Sequence, residues 1–251
     1  GIFKRLWCGC IPDWKSVYGI RKPQGTGKEM EGAVSEKMIP EIKICGLTRI
    51  PEAGFLNTAG ADYAGFVFFE KSKRNVTVPQ AQKIMKGLNP EIKKVAVMVS
   101  PDTKLIQKLQ EAGFDILQIH GTLSEEVLKE AQLPVWYAVN IARPEELKEK
   151  TAFFERLPQR LQDKVQAIVV DGAVYGSGKT FDWKQTEDVR KQSTLFSGRK
   201  FILAGGLNAS NVREGIEIFS PDVVDVSSGV EKTEGKDERL IQEFVSAVRQ
   251  G

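Results

Sequence analysis

Lys94-Val95-Ala96-Val97-Met98-Val99-Ser100-Pro101-Asp102 opens a stretch that runs through Leu105, Leu109 and Ala112-Gly113-Phe114-Asp115 to Ile116-Leu117-Gln118-Ile119-His120. It holds one complete strand–helix–strand unit. Lys94–Val99 is a short valine-rich run without alternation, the pattern of a strand buried on both faces of a parallel sheet. Ser100-Pro101-Asp102 opens a helix that carries Leu105, Leu109 and Ala112 along one side. Gly113 then ends the helix, and the chain passes directly into the next apolar run.

The same grammar extends in both directions. Apolar runs recur at Ile42–Cys45, Tyr63–Phe69, Lys94–Val99, Ile116–His120, Val135–Val139, Ala167–Asp171, Phe201–Ala204 and Val223–Ser227. Ala59-Gly60-Ala61-Asp62 repeats the glycine exit, and Pro51 and Pro79 sit where first-turn prolines belong. Eight strands alternating with helices predict a single (β/α)8 TIM barrel over residues 41–251. An open doubly wound sheet would need a glycine fingerprint after its first strand, which Cys45-Gly46-Leu47-Thr48 does not match. The length of 251 residues, with 41% of them apolar, suits one such barrel.

Residues 1–40 read differently. They hold six Gly and three Pro, without sustained periodicity, and Gln24-Gly25-Thr26-Gly27-Lys28 reads as linker. An N-terminal extension, partly disordered, is expected here, with Trp7, Trp14 and Tyr18 able to dock part of it on the body. This segment carries seven basic and four acidic residues, hence the whole net charge of +3. A body with balanced charge excludes a nucleic-acid footprint, which needs a concentrated basic face.

Three cysteines, Cys8, Cys10 and Cys45, fit a reducing compartment better than a disulfide framework. Cys8 and Cys10 have no second ligand pair nearby, and the only histidine, His120, is far downstream, so no metal is expected. No apolar run approaches the roughly 20 residues that cross a bilayer. Lys4, Arg5 and the short apolar stretch to Ile11 are interrupted by Gly9 and Pro12, unlike a signal peptide. The expected location is the cytoplasm, with no membrane partner.

In this architecture chemistry belongs at the C-terminal ends of the strands. Cys45 ends the first run and Asp171 the sixth; a thiolate can remove a proton and a carboxylic acid can donate one. The alternatives are a small buried cysteine and a turn-capping carboxylate. Ala204-Gly205-Gly206 and Ser227-Ser228-Gly229 follow the seventh and eighth runs, the usual phosphate position, where glycine lets backbone N–H groups approach a ligand. Arg74 follows the second run and can bind a carboxylate; the alternative is a solvated charge run. His120 is read as pocket lining. Gly176-Ser177-Gly178-Lys179-Thr180 imitates a nucleotide-binding loop but has Ala173 where that motif needs glycine, so a loop closing over a phosphorylated substrate is the better reading.

Taken together, these segments resemble the phosphoribosylanthranilate isomerase family of tryptophan biosynthesis, from about Ile42 to Val248. The residues that carry the resemblance are Lys43-Ile44-Cys45-Gly46-Leu47-Thr48, Gly65-Phe66-Val67-Phe68, Ser72-Lys73-Arg74, Leu117-Gln118-Ile119-His120-Gly121, Gly176 to Trp183, Ala204-Gly205-Gly206-Leu207-Asn208 and Val224-Asp225-Val226-Ser227-Ser228-Gly229-Val230-Glu231. The resemblance implies an Amadori rearrangement of a phosphorylated small molecule, without metal or organic cofactor. It implies Asp171 as general acid and Cys45 as general base. It further implies Arg74 on the substrate carboxylate and the backbone around Gly205, Gly206, Ser228 and Gly229 on the phosphate. The related histidine-pathway isomerase uses aspartate in the first strand, where this chain has Cys45. A barrel retained only for binding would be expected to lose the acid or the base. The extension has no counterpart in the resemblance and is a candidate contact with another enzyme of the tryptophan pathway.

Overall fold

The computed structural model describes residues 39–140, 144–171 and 193–250. Within Glu41–Cys45 (β1), Ile42 and Ile44 join the apolar layer beneath the helices, while Cys45 joins the cluster inside the sheet. The same two-sided burial recurs in Tyr63–Phe68 (β2), Lys93–Val99 (β3), Ile116–His120 (β4), Val135–Asn140 (β5), Val165–Asp171 (β6), Lys200–Ala204 (β7) and Val223–Val226 (β8). All neighbours pair in parallel, and β8 pairs with β1 to close an eight-stranded barrel. The predicted fold is therefore observed. Its interior is packed rather than open: Tyr63 meets Trp136 edge-on, with ring centroids 5.0 Å apart, beside Val95, Ile116 and Ile202.

Helices cover the outside. Pro51–Ala59 (α1) and Val78–Met85 (α2) carry their prolines in the first turn, and α1 ends at Gly60 in the left-handed region (φ 70°). Thr103–Glu111 (α3) starts at Asp102, whose carboxylate accepts from the Leu105 N–H at 2.8 Å. Glu125–Glu130 (α4), Pro144–Glu155 (α5), Gln159–Gln162 (α6), Val212–Phe219 (α7) and Glu238–Arg249 (α8) follow.

One strand, β6, begins two residues earlier than its apolar run. Val135 pairs with Val165 and Trp136 with Ala167, so the exposed Gln166 is the extra residue of a bulge in β6. The polar bulge residue interrupts the pattern, which is why sequence periodicity starts β6 at Ala167.

At the N-terminal end of the barrel, aspartates tie neighbouring strands together. Asp62 Oδ2 accepts from the Ile42 N–H at 2.7 Å, Asp115 Oδ2 from Lys94 N–H at 2.7 Å, and Asp222 Oδ2 from Phe201 N–H at 2.6 Å. Each aspartate stands immediately before a strand and binds the start of the strand that pairs with it.

Candidate active site

Alternation along β1 turns Lys43 and Cys45 into the barrel. Cys45 is 8% exposed and sits against Gly65 of β2, where a Cβ would come within 2.8 Å of its Sγ. At the next position Gly46 has φ +88°, and a side chain there would collide with Arg74 Cδ. Glycines thus bring the end of β1 against both β2 and the arginine that follows it.

Beside Cys45, the fully buried Lys43 donates to Asp225 Oδ2 at 2.7 Å, across a register in which these two residues face each other on β1 and β8. Burial opposes charge on Lys43, but the Asp225 carboxylate more than compensates and holds its ammonium above the ordinary value. The other Asp225 oxygen, Oδ1, is buried without a hydrogen-bond partner. Burial, with the charge of Asp225 beside it, holds the Cys45 thiol above its ordinary value; the charges of Lys43 and Lys236 oppose that shift without cancelling it.

A second cluster lies at the rim. Arg74 Nε and Nη2 donate to Glu231 Oε1 and Oε2 at 2.5 and 2.7 Å, a bidentate pair, and Lys236 Nζ reaches Glu231 Oε1 at 2.5 Å. Lys236 Nζ also donates to the Ser227 carbonyl at 3.0 Å, and Ser227 Oγ donates to the Cys45 carbonyl at 2.9 Å. Burial works to raise the Glu231 carboxyl, yet the hydrogen bonds of Arg74 and the charge of Lys236 outweigh it and hold it at about 2. Arg74 therefore meets the site with one fork already occupied by Glu231, which sequence reading did not anticipate.

Cys45, Arg74, His120, Asp171, Gly205, Gly206 and Ser228 all border one cavity of about 420 Å³ at the C-terminal ends of the strands. That volume lies in the range of small-molecule sites. Gly229 does not border the cavity. It packs beneath it, where a Cβ would collide with the Leu207 carbonyl oxygen, and so holds the loop after β8 against the loop after β7. His120 Nε2 lies 2.9 Å from Gln118 Nε2. Burial, aided by the charges of Lys43 and Lys150, lowers the His120 imidazole to about 3, so it is neutral near neutral pH. Residues 176–183 lie outside the described residues, as do Cys8 and Cys10.

Sequence reading missed Lys43, Asp225, Gln118, Glu231 and Lys236 as members of the site. For two of them a signal was present. Lys43 and Asp225 are single charges in the middle of apolar runs, in the two strands whose pairing closes the barrel. A charge at the inward phase of a buried strand needs a partner or a ligand.

Fold and site define a (β/α)8 barrel with a thiol, a carboxyl group and two glycine loops around one cavity at its C-terminal face. A family model described as N-(5'phosphoribosyl)anthranilate (PRA) isomerase matches residues 42–247, and the chain belongs to that family. The N-(5'-phosphoribosyl)anthranilate isomerase of Streptococcus mutans is 37% identical over 210 residues, covering 83% of this chain and 98% of that protein. The phosphoribosyl anthranilate isomerase structure from Thermotoga maritima superposes with a TM-score of 0.71 at 31% identity, covering 84% of this chain and 100% of that one. A phosphoribosyl anthranilate isomerase solved in complex with reduced 1-(o-carboxyphenylamino)-1-deoxyribulose 5-phosphate is 30% identical, with a TM-score of 0.69 and the same coverage.

Proposed function

We propose that the chain isomerises N-(5-phosphoribosyl)anthranilate to 1-(2-carboxyphenylamino)-1-deoxyribulose 5-phosphate in tryptophan biosynthesis. The observation that carries this reading is the meeting of Cys45 and Asp171, from opposite parts of the barrel, at one cavity in a chain of this family. Asp171 donates a proton to the furanose ring oxygen as the C1–O bond breaks, and the anthranilate nitrogen lone pair forms the iminium. The positive nitrogen acidifies the C2–H bond. Cys45 takes that proton, and the bonding pair becomes the C1–C2 double bond of an enolamine, which tautomerises to the C2 ketone by protonation at C1. The base must act as thiolate, so its surroundings have to offset the cost of burying that charge.

The backbone of Gly205, Gly206 and Ser228 is assigned to the phosphate, with Gly229 setting the loop that carries Ser228. Arg74 is assigned to the anthranilate carboxylate through the guanidinium face that Glu231 leaves open. His120, neutral, lines the wall and carries no proton-transfer role. No organic cofactor enters the scheme. A reducing cytoplasm suits a reaction that depends on a free thiol, and contact with another pathway enzyme is assigned to residues 1–40, of which 1–38 lie outside the described residues. Among the described residues no helix is long and apolar enough to cross a membrane.

The test is turnover of phosphoribosylanthranilate generated in situ, coupled to indole-glycerol-phosphate synthase. Product formation by the chain, lost in Cys45→Ala, supports the reading. Absence of turnover by the unaltered chain overturns it, and activity on the histidine-pathway aminoaldose instead would reassign the substrate.

A further inference from the structure

Lys43 has no evident structural necessity at its position. An ammonium that is fully buried in a barrel strand is costly, and an apolar pair in place of Lys43 and Asp225 would close the β1–β8 seam at least as well. It does, however, stand two residues from Cys45 on the same inward face of β1, its ammonium held by Asp225 at 2.7 Å, and its charge favours the thiolate of that cysteine.

The charges around Cys45 sharpen the point. Three cations act on it electrostatically: Lys43 from β1, Arg74 from the loop after β2, and Lys236 from the antiparallel hairpin that Glu231–Lys232 and Gly235–Lys236 form after β8. Two carboxylates partner them, Asp225 from β8 and Glu231 from the same hairpin. Lys73 reaches Glu231 as well, at 3.4 Å from the exposed rim, so cations outnumber carboxylates around Cys45. Of the remaining ionisable groups around the cavity, His120 on β4 is neutral, Lys71 and Lys73 stand at the exposed rim, and Asp171 faces it from β6.

We propose that Lys43 is the positioning residue of the reaction base: tethered by Asp225, its ammonium stabilises the Cys45 thiolate and fixes it beneath the substrate. This rests on Cys45 acting as the base. Asp225 has a double part. It keeps Lys43 charged and aimed, and it opposes the thiolate by its own negative charge, an effect that ranks below that of Lys43.

The experiment uses the full chain with Cys8 and Cys10 changed to serine, so that alkylation by iodoacetamide reports Cys45 alone. Its rate is followed against pH, and kcat and KM are measured over the same range. Lys43→Met is expected to move the alkylation midpoint up by at least one pH unit. It should lower kcat at neutral pH at least tenfold with little change in KM, and kcat should partly recover at high pH. Because Lys43→Met leaves a buried carboxylate unpaired, the double variant Lys43→Met/Asp225→Asn is the safeguard for folding. It removes both charges and is expected to shift the midpoint in the same direction by less. An unmoved midpoint in a folded variant overturns the role of Lys43 alone. A moved midpoint with an unmoved acid limb of kcat overturns the assignment of Cys45 as base, and this proposal with it.

Discussion

The two ends of the barrel use polar side chains in opposite ways. At the N-terminal end, Asp62, Asp115 and Asp222 each accept from the first N–H groups of a paired strand, and Tyr63 Oη donates to Glu41 Oε2 at 2.9 Å. Among the described residues, no buried polar side-chain atom at that end lacks a hydrogen-bond partner. At the C-terminal end the groups that are buried and unmatched, Asp225 Oδ1 and Gln118 Oε1, both belong to residues on the cavity wall. A protein rarely leaves a buried acceptor without a donor, because each one costs about 1–3 kcal/mol. Unmet valence is thus concentrated at the end that holds the cavity, where a bound molecule could supply the missing donors.

If that division holds, the largest effects on turnover come from the mouth without loss of fold. Cys45→Ala and Asp171→Asn are each expected to lower kcat by about three orders of magnitude or more, in the range of a lost general base or acid. Both residues stand at strand ends, so thermal stability should change by no more than about 1 kcal/mol. Steady-state kinetics beside thermal unfolding tests this; a variant that keeps its turnover removes that residue from the mechanism.

The rim cluster belongs to the mouth but is fully paired, so it is a sharper probe. Glu231→Gln leaves Arg74 without its bidentate partner and is expected to raise KM about tenfold while altering kcat far less. The acid side also changes. Because the Glu231 carboxyl is held at about 2 in the folded chain, its contribution is complete above about 4.5 and is lost as pH falls toward 2. The variant should show a shallower loss of stability across that window. A KM equal to that of the unaltered chain would mean that Arg74 needs no orientation by Glu231.

His120 is expected to matter less. Its imidazole is neutral down to about pH 3, so it supplies no limb to the pH–rate profile between 5 and 8. His120→Asn should alter kcat/KM by only a few-fold. The unfolded chain takes up a proton on this ring below about 6.5 and the folded chain does not, so His120 lowers stability as pH falls from 6.5 toward 3. Unfolding followed against pH should lose part of that slope in the variant, whereas an unchanged slope would place the ring in a more solvated setting.

How much of this was legible in the sequence depends on whether the information is local. Valine- and isoleucine-rich runs, proline starts and glycine exits are local signals, and they located seven of the eight strands to within one residue at either end. The exception, at Val165 and Gln166, arises because a bulge exposes a polar residue within a strand. Cys45, Asp171, Gly205, Gly206 and Ser228 were legible because this fold gathers strand ends at one face. The pairing of Arg74 with Glu231 was not, since those residues are 157 positions apart and meet only once the barrel has closed. Gly229 was legible as a glycine with a purpose, yet that purpose is packing against Leu207, which only the closed barrel reveals.

The smallest effect on turnover is expected from the opposite end, and it is the most direct test of the contrast. Asp222 holds the Phe201 N–H at the start of β7 through a hydrogen bond to a charged acceptor, and it stands just before β8 on the far side of the barrel from the cavity. Asp222→Ala leaves that N–H without its carboxylate and should lower stability by about 1.5–3 kcal/mol, as for other hydrogen bonds to charged groups. At temperatures where the variant is folded, kcat and KM should match the unaltered chain. The phosphate loops after β7 and β8 hang from the two strands that Asp222 joins, so a change in KM would mean that strain at the foot of those strands reaches their tips. Such a result would replace a barrel of two independent ends with one in which the clamp helps to set the loops.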